Sequence, residues 1–161
     1  MRIVVQRAKE AYVKVGGNVV GKIAQGMVVL VGVAKTDSTA DADSLVKKII
    51  ELRIFEDKEG KMNLSSLEAG AEFLVVSQFT LLGDCSKGRR PSFDSAADPQ
   101  KAEQFYNYFI EQLRKHHVRV ETGQFRAMMD VGLVNDGPVT FILESKLERS
   151  TGAQAHRNIS M

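Results

Sequence analysis

Three short segments carry residue types that do chemistry. The first is Ser77-Gln78-Phe79-Thr80, where two hydroxyls and a carboxamide follow the apolar run Phe73-Leu74-Val75-Val76. Polar groups at the mouth of a buried strand are placed to meet a ligand, and these supply both donors and acceptors. Thr80 has the hydroxyl of a nucleophile, yet no base lies near it in sequence, and an unassisted hydroxyl is a weak nucleophile. The same four residues equally suit a strand end that satisfies its own backbone. The second segment, Asn135-Asp136-Gly137-Pro138, reads as a hairpin turn between the apolar runs Met128 to Val134 and Val139 to Leu143. Proline after glycine suits a cis peptide bond, which would aim neighbouring carbonyls in one direction as a rigid polar probe. The third is Lys87-Gly88-Arg89-Arg90-Pro91, followed by Phe93. Its cations suit phosphate contacts, and they suit a solvated loop as well.

Other chemistries find no residues. One cysteine and three histidines, of which His116 and His117 are adjacent at a helix end, make no ligand set. The chain has no Gly-x-Ser-x-Gly elbow, no P-loop and no dinucleotide fingerprint. Neither a metal nor a cofactor is expected, and neither is a side-chain triad.

Strands and two helices must position these segments. Ile3 and Val5 alternate with polar residues, as do Tyr12 to Val15. Gly16-Gly17-Asn18 is a hairpin signal. Met27 to Val33 is almost continuously apolar, the pattern of a strand covered on both faces. Thr36 to Thr39 is rich in N-cap residues, and Ala42, Leu45, Val46, Ile49 and Leu52 then share one helical face. Asp98-Pro99 opens a second helix carrying Ala102, Phe105, Phe109 and Leu113. The stretch Gly60 to Leu64 reads as a tight turn into a short extended segment. Strands outnumber helices, so the expected class is mixed α/β with hairpin-rich sheets and two main helices.

The 161 residues suit one domain. Its expected extent is 1–144, with 145–161 as a flexible tail of few large apolar residues. Cys85 alone permits no internal disulfide. No apolar run reaches a membrane span, and the first residues lack a signal-peptide core. A cytoplasmic protein without membrane association is therefore expected. Lysine and arginine number 22 against 20 acidic residues, a net charge of +2. That balance argues against broad nucleic-acid binding, which needs a basic field, and no DNA partner is expected.

Taken in order, Gln6-Arg7, Arg53-Ile54-Phe55 with Gly60 to Leu64, Ser77 to Leu81, Gly88 to Phe93, Thr122 to Phe125 and Asn135 to Thr140 resemble the D-aminoacyl-tRNA deacylases. The resemblance spans roughly Arg2 to Glu144. It implies a layered α/β/β fold, a homodimer, and hydrolysis of the ester joining a D-amino acid or glycine to the terminal ribose of tRNA. It implies that Ser77, Gln78, Phe79 and Thr80 form the reacting site. It further implies that Gly137-Pro138 is cis and enters the partner's site, where rejection of L-amino acids is steric. Arg7, Phe125, Met129 and Asn135 would contact substrate. Lys87, Arg89 and Arg90 would meet the acceptor end of the tRNA. Two mechanisms are open: Thr80 as nucleophile, or a substrate-assisted path. In the second, amides around Phe79 and Thr80 hold the oxyanion and the neighbouring ribose hydroxyl helps activate water. The missing base favours the second. Two departures stand out: the tail, and Arg126 where the family more often has a small residue. A non-catalytic RNA-binding module and a small-molecule esterase are the alternatives.

Overall fold

The computed structural model describes residues 1–145; the expected tail lies, apart from Ser145, outside the described residues. Strand β1 (Arg2–Val15) is the axis of the sheet. One edge of β1 pairs first with β3 (Gly26–Gly32) and then with β2 (Asn18–Ile23). The other edge pairs with β8 (Asp130–Glu144) along nearly its whole length. Beyond β3 lie β6 (Glu72–Ser77) and β7 (Val120–Thr122), both parallel to their neighbours. The sheet then almost closes. A Cβ added to Gly21 of β2 would sit 2.5 Å from the Thr122 carbonyl oxygen of β7. The intervening β4 (Phe55–Glu56) and β5 (Met62–Leu64) form a small hairpin of their own.

The apolar runs explain this arrangement. Met27, Val29 and Val31 of β3, with Phe73 and Val75 of β6, pack in one core. Val28, Leu74 and Val76 pack in a second core on the opposite face. Alternation with period 2 splits each run between two cores, and this is why neither apolar run, Met27 to Val31 or Phe73 to Val76, alternates with polar residues. The first core is roofed by α1 (Thr39–Glu51) and α2 (Pro99–Arg114), which bury Leu45 and Ile49, and Phe109 and Leu113, respectively. Both helices begin as their caps predict. The Ser38 amide donates to the Asp41 carboxylate at 2.7 Å, and the Asp98 carboxylate accepts from the Lys101 amide at 3.0 Å ahead of Pro99. The class is mixed α/β with two helices, as expected.

β1 is one continuous strand that serves both cores. Ile3 and Val5 face the first core, while Ala8, Ala11 and Val13 face the second. The inward parity changes where the register against β8 shifts, between Gln6 and Glu10. Bulges of this kind let a strand pass from one core to another. One expectation needs revision: Asn135 to Pro138 form no hairpin. Gln6 pairs with Thr140 and Ala8 with Asn135. Arg7 alone therefore faces Asp136, Gly137, Pro138 and Val139. Both flanking runs belong to β8 and pair with β1, so the turn residues are extruded from the strand as a bulge.

Candidate functional site

The polar lip at the end of β6 is held from three sides. The Gln78 amide donates to the Val31 carbonyl at 2.8 Å, continuing the β3 pairing. The chain then tightens into a 3₁₀ turn, Phe79–Leu82. Arg2 fixes this turn by donating from Nη1 to the Leu81 carbonyl at 2.8 Å. Gly32 lets β3 approach it. A Cβ there would run into the Leu82 side chain and lie 3.1 Å from the Gln78 carbonyl oxygen. The Gln78 carboxamide donates to Thr80 Oγ1, so that oxygen already accepts a hydrogen bond. Phe79 is half exposed and meets Phe93 edge-on, with centroids 5.0 Å apart.

A cavity of about 700 Å³ opens at this lip. Ser77, Gln78 and Phe79 line it, together with Phe93, Phe125 and Met129. The loop after β7 brings in the last two. The Gly123 amide donates to the Val75 carbonyl at 3.2 Å, and Phe125 packs against Tyr106 at 5.9 Å. The Tyr106 hydroxyl donates to the same Val75 carbonyl at 2.8 Å. Burial pushes this phenol far above its ordinary range, against the opposing pull of the Arg114 charge. Sequence reasoning missed the wall made by Ala96, Ala97, Pro99 and Ala102. Its small side chains, clustered where α2 begins, were the available signal.

The other expected site residues lie elsewhere. Thr80, Arg7, Asn135, Gly137 and Pro138 do not line this cavity. Arg7 and Asn135 instead frame the β8 bulge. The Arg7 side chain is 4 % exposed. Its Nη1 donates to the Ile54 carbonyl at 2.6 Å and its Nε to the Asp136 carbonyl at 3.1 Å. The Asp136 and Glu56 carboxylates sit 3.4 and 3.7 Å away. Asn135 closes the bulge from inside: its Oδ1 accepts from the Val139 amide at 3.0 Å and its Nδ2 donates to Thr140 Oγ1 at 3.1 Å. At the tip, Gly137-Pro138 is cis and Gly137 has φ +130°, a region open to glycine. Both tip residues are exposed.

Lys87, Arg89 and Arg90 occupy an exposed loop pinched shut by the Asp84–Ser92 pair, with amide–carbonyl bonds of 2.7 and 2.9 Å. Hydrogen bonds from Ser86 hold the Asp84 carboxyl below the usual range. The loop leads into Phe93 and so reaches the cavity wall. Among the described residues, no three His, Cys, Asp or Glu side chains are grouped to hold a metal ion, and no helix is long and apolar enough to cross a membrane.

Comparisons with known proteins agree with this fold. The profile of the family described as D-Tyr-tRNA(Tyr) deacylase matches residues 4–144. A D-aminoacyl-tRNA deacylase of Geobacillus sp. (strain WCH70) is 60 % identical over 146 residues, covering 91 % of this chain and 96 % of the relative. The one from Geotalea uraniireducens (strain Rf4) is 56 % identical over 155 residues, covering 96 % and 100 %. Among solved structures, the c-Myc DNA Unwinding Element Binding Protein superposes with TM-score 0.86 at 44 % identity, covering 91 % of this chain and 100 % of that one. A probable eukaryotic D-amino acid tRNA deacylase superposes with TM-score 0.78 at 18 % identity, covering 89 % and 98 %, a likeness of fold alone. By profile and by identity, the chain belongs to the D-aminoacyl-tRNA deacylase family.

Proposed function

We propose that this protein hydrolyses the ester between a D-amino acid, or glycine, and the terminal ribose of tRNA, and spares L-aminoacyl esters. It acts as a cytoplasmic homodimer, with residues 1–144 as the working domain in an α/β/β arrangement. The Gly137-Pro138 bulge of one protomer completes the cavity of the other. One observation carries the reading. The cavity and the bulge are both built to high definition, yet they do not meet within one chain.

The surface between them supports a second copy. Strand β8 pairs with β1 and is otherwise an edge. It exposes Val134, Phe141 and Ile142, and Met128 precedes it at 90 % exposure. A long apolar edge strand normally invites pairing with another chain. Met128, Met129 and Val131 also line the cavity, so a partner on this face lies at its mouth.

The chemistry follows. Carbonyls of the partner's bulge accept hydrogen bonds from the substrate ammonium, and the rigid backbone leaves an L-side chain no room. Apolar contacts alone discriminate by only about 10–200-fold per methylene, so exclusion by a wall is the stronger device. Glycine has no side chain to exclude. At the lip, the amides opening the 3₁₀ turn hold the oxyanion, and the ribose hydroxyl beside the ester helps activate water. Thr80 is a poor nucleophile, because its oxygen accepts from Gln78 and, among the described residues, no hydrogen bond joins it to a base. Phe125 and Met129 contact the substrate, whereas Arg7 and Asn135 act by holding the bulge. Lys87, Arg89 and Arg90 meet tRNA phosphates.

The test is deacylation of D-tyrosyl-tRNA, L-tyrosyl-tRNA, glycyl-tRNA and a nitrophenyl ester, each followed separately. The D-ester and glycyl ester should be lost and the L-ester retained. Equal cleavage of the L-ester contradicts steric exclusion, and inertness toward all four points to a binding module. Thr80→Ala should retain most activity. Loss of several orders of magnitude with binding intact would establish the acyl-enzyme path instead.

A further inference from the structure

We propose that Arg126 is a phosphate-binding residue of the cavity mouth, gripping the sugar–phosphate backbone that leads into the terminal nucleoside of the substrate. The proposal rests on the deacylase reading above. The first observation is conformational. The Ala127 amide donates to the Gln124 carbonyl at 3.2 Å, closing a four-residue turn. Arg126, third in that turn, has φ +62°, and Phe125 before it is not among the residues of positive φ. This is the type II pattern, whose third position favours glycine. A non-glycine residue kept in a disfavoured conformation is characteristic of ligand-binding positions.

The second observation is placement. Phe125 and Arg126 both line the cavity wall, and Arg126 is exposed. Among the described residues, Arg126 contributes the wall's one cation, and no ion pair occupies its guanidinium. The remaining wall is apolar or neutral. Lys87, Arg89 and Arg90 lie outside it. The turn therefore holds one unpartnered guanidinium at the opening of a cavity whose substrate is an ester at the end of a polyanion. With the amino acid inside, the terminal nucleotide's phosphate must pass the mouth. A guanidinium binds phosphate through paired N–H donors.

The experiment compares the wild-type enzyme with Arg126→Gly, which suits the turn and removes the charge, and with Arg126→Lys, which keeps the charge. Two substrates separate the causes: D-tyrosyl-tRNA, and D-tyrosyl-adenosine, which has the ester but no phosphate. KM and kcat are measured from 50 to 200 mM KCl. One single-strand phosphate contact contributes about 0.7 to the salt slope. The wild-type KM for tRNA should therefore rise about 2.6-fold more across this range than that of Arg126→Gly. The kcat values should agree, Arg126→Lys should keep most of the slope, and D-tyrosyl-adenosine should not distinguish the three. Equal slopes for wild type and Arg126→Gly, or equal losses on the phosphate-free ester, would overturn the proposal. If the wild-type enzyme cleaves neither ester, the deacylase reading itself fails, a result separable from both of those.

Discussion

Replacing Arg7 by methionine removes the tether of the bulge while keeping the apolar stem. The guanidinium makes two hydrogen bonds to backbone carbonyls, of Ile54 and Asp136, from a side chain 4 % exposed. Hydrogen bonds from a charged donor contribute about 1.5–3 kcal/mol each. Two would give about 3–6 kcal/mol, but the carboxylates left behind recover water. Asp136 is 27 % exposed and Glu56 58 % exposed, which places the loss at the lower end, about 3 kcal/mol. For a chain of this length that corresponds to a fall in Tm of roughly 6–12 °C. The functional effect should exceed the effect on stability. Misplacing a reacting assembly by about 1 Å costs on the order of 100-fold in rate, so kcat/KM for D-tyrosyl-tRNA should fall by about that factor. Urea unfolding at pH 7 and steady-state deacylation measure the two effects. Arg7→Lys, which reaches one carbonyl but not both, should fall between. A methionine variant within about 0.5 kcal/mol of wild type, the range of an unimportant surface change, and with unchanged kinetics, would refute the tether.

Four further outcomes are expected. Gly32→Ala forces a Cβ to within 3.0 Å of Leu81 Cβ and 3.1 Å of the Gln78 carbonyl oxygen; deacylation should drop about 100-fold while circular dichroism stays native. Tyr106→Phe loses the bond to the Val75 carbonyl, which still accepts from Gly123, so the cost should be about 1 kcal/mol, read as a Tm lower by roughly 2–4 °C. Tyr106 also sets an alkaline limit. Its folded pKa lies above its ordinary 10.0, so between the two values the folded chain holds a proton that the unfolded chain has lost. Stability should fall as pH rises past about 10, and Tyr106→Phe should fall less steeply; equal slopes would rule out this phenol as the cause. Phe125→Ala removes the wall shared with Tyr106 and should raise KM with little change in the salt slope.

What local chemistry decides was legible in the sequence. Gly16 and Gly17 adopt φ of +55° and +80°, as a tight hairpin requires, and Asp98-Pro99 starts α2 where the cap signal stands. The double burial of β3 and β6 was readable because a strand apolar at successive positions has no face to give to water. What long-range pairing decides was not. Asn-Asp-Gly-Pro has the composition of a hairpin tip, and nothing local says whether its flanks pair with each other or with a third strand. Here both pair with β1. Arg7 shows the same limit from the other side. The family resemblance implied a substrate contact for it, but its partners come from β4 and β8, neither visible from its own segment. The left-handed backbone of Arg126 carries no sequence signal, because arginine does not favour it.

The central claim is that each site is assembled from two chains. Arg7→Met leaves its own cavity intact and loosens its bulge, and Gly32→Ala does the reverse. Denatured together in equal amounts and refolded, the two should form heterodimers as half of all dimers, each with one complete site. The mixture should then recover about a quarter of wild-type deacylation of D-tyrosyl-tRNA, far above either variant alone. Activity no greater than the mean of the two variants, with heterodimers demonstrated in the sample, would contradict assembly across the interface.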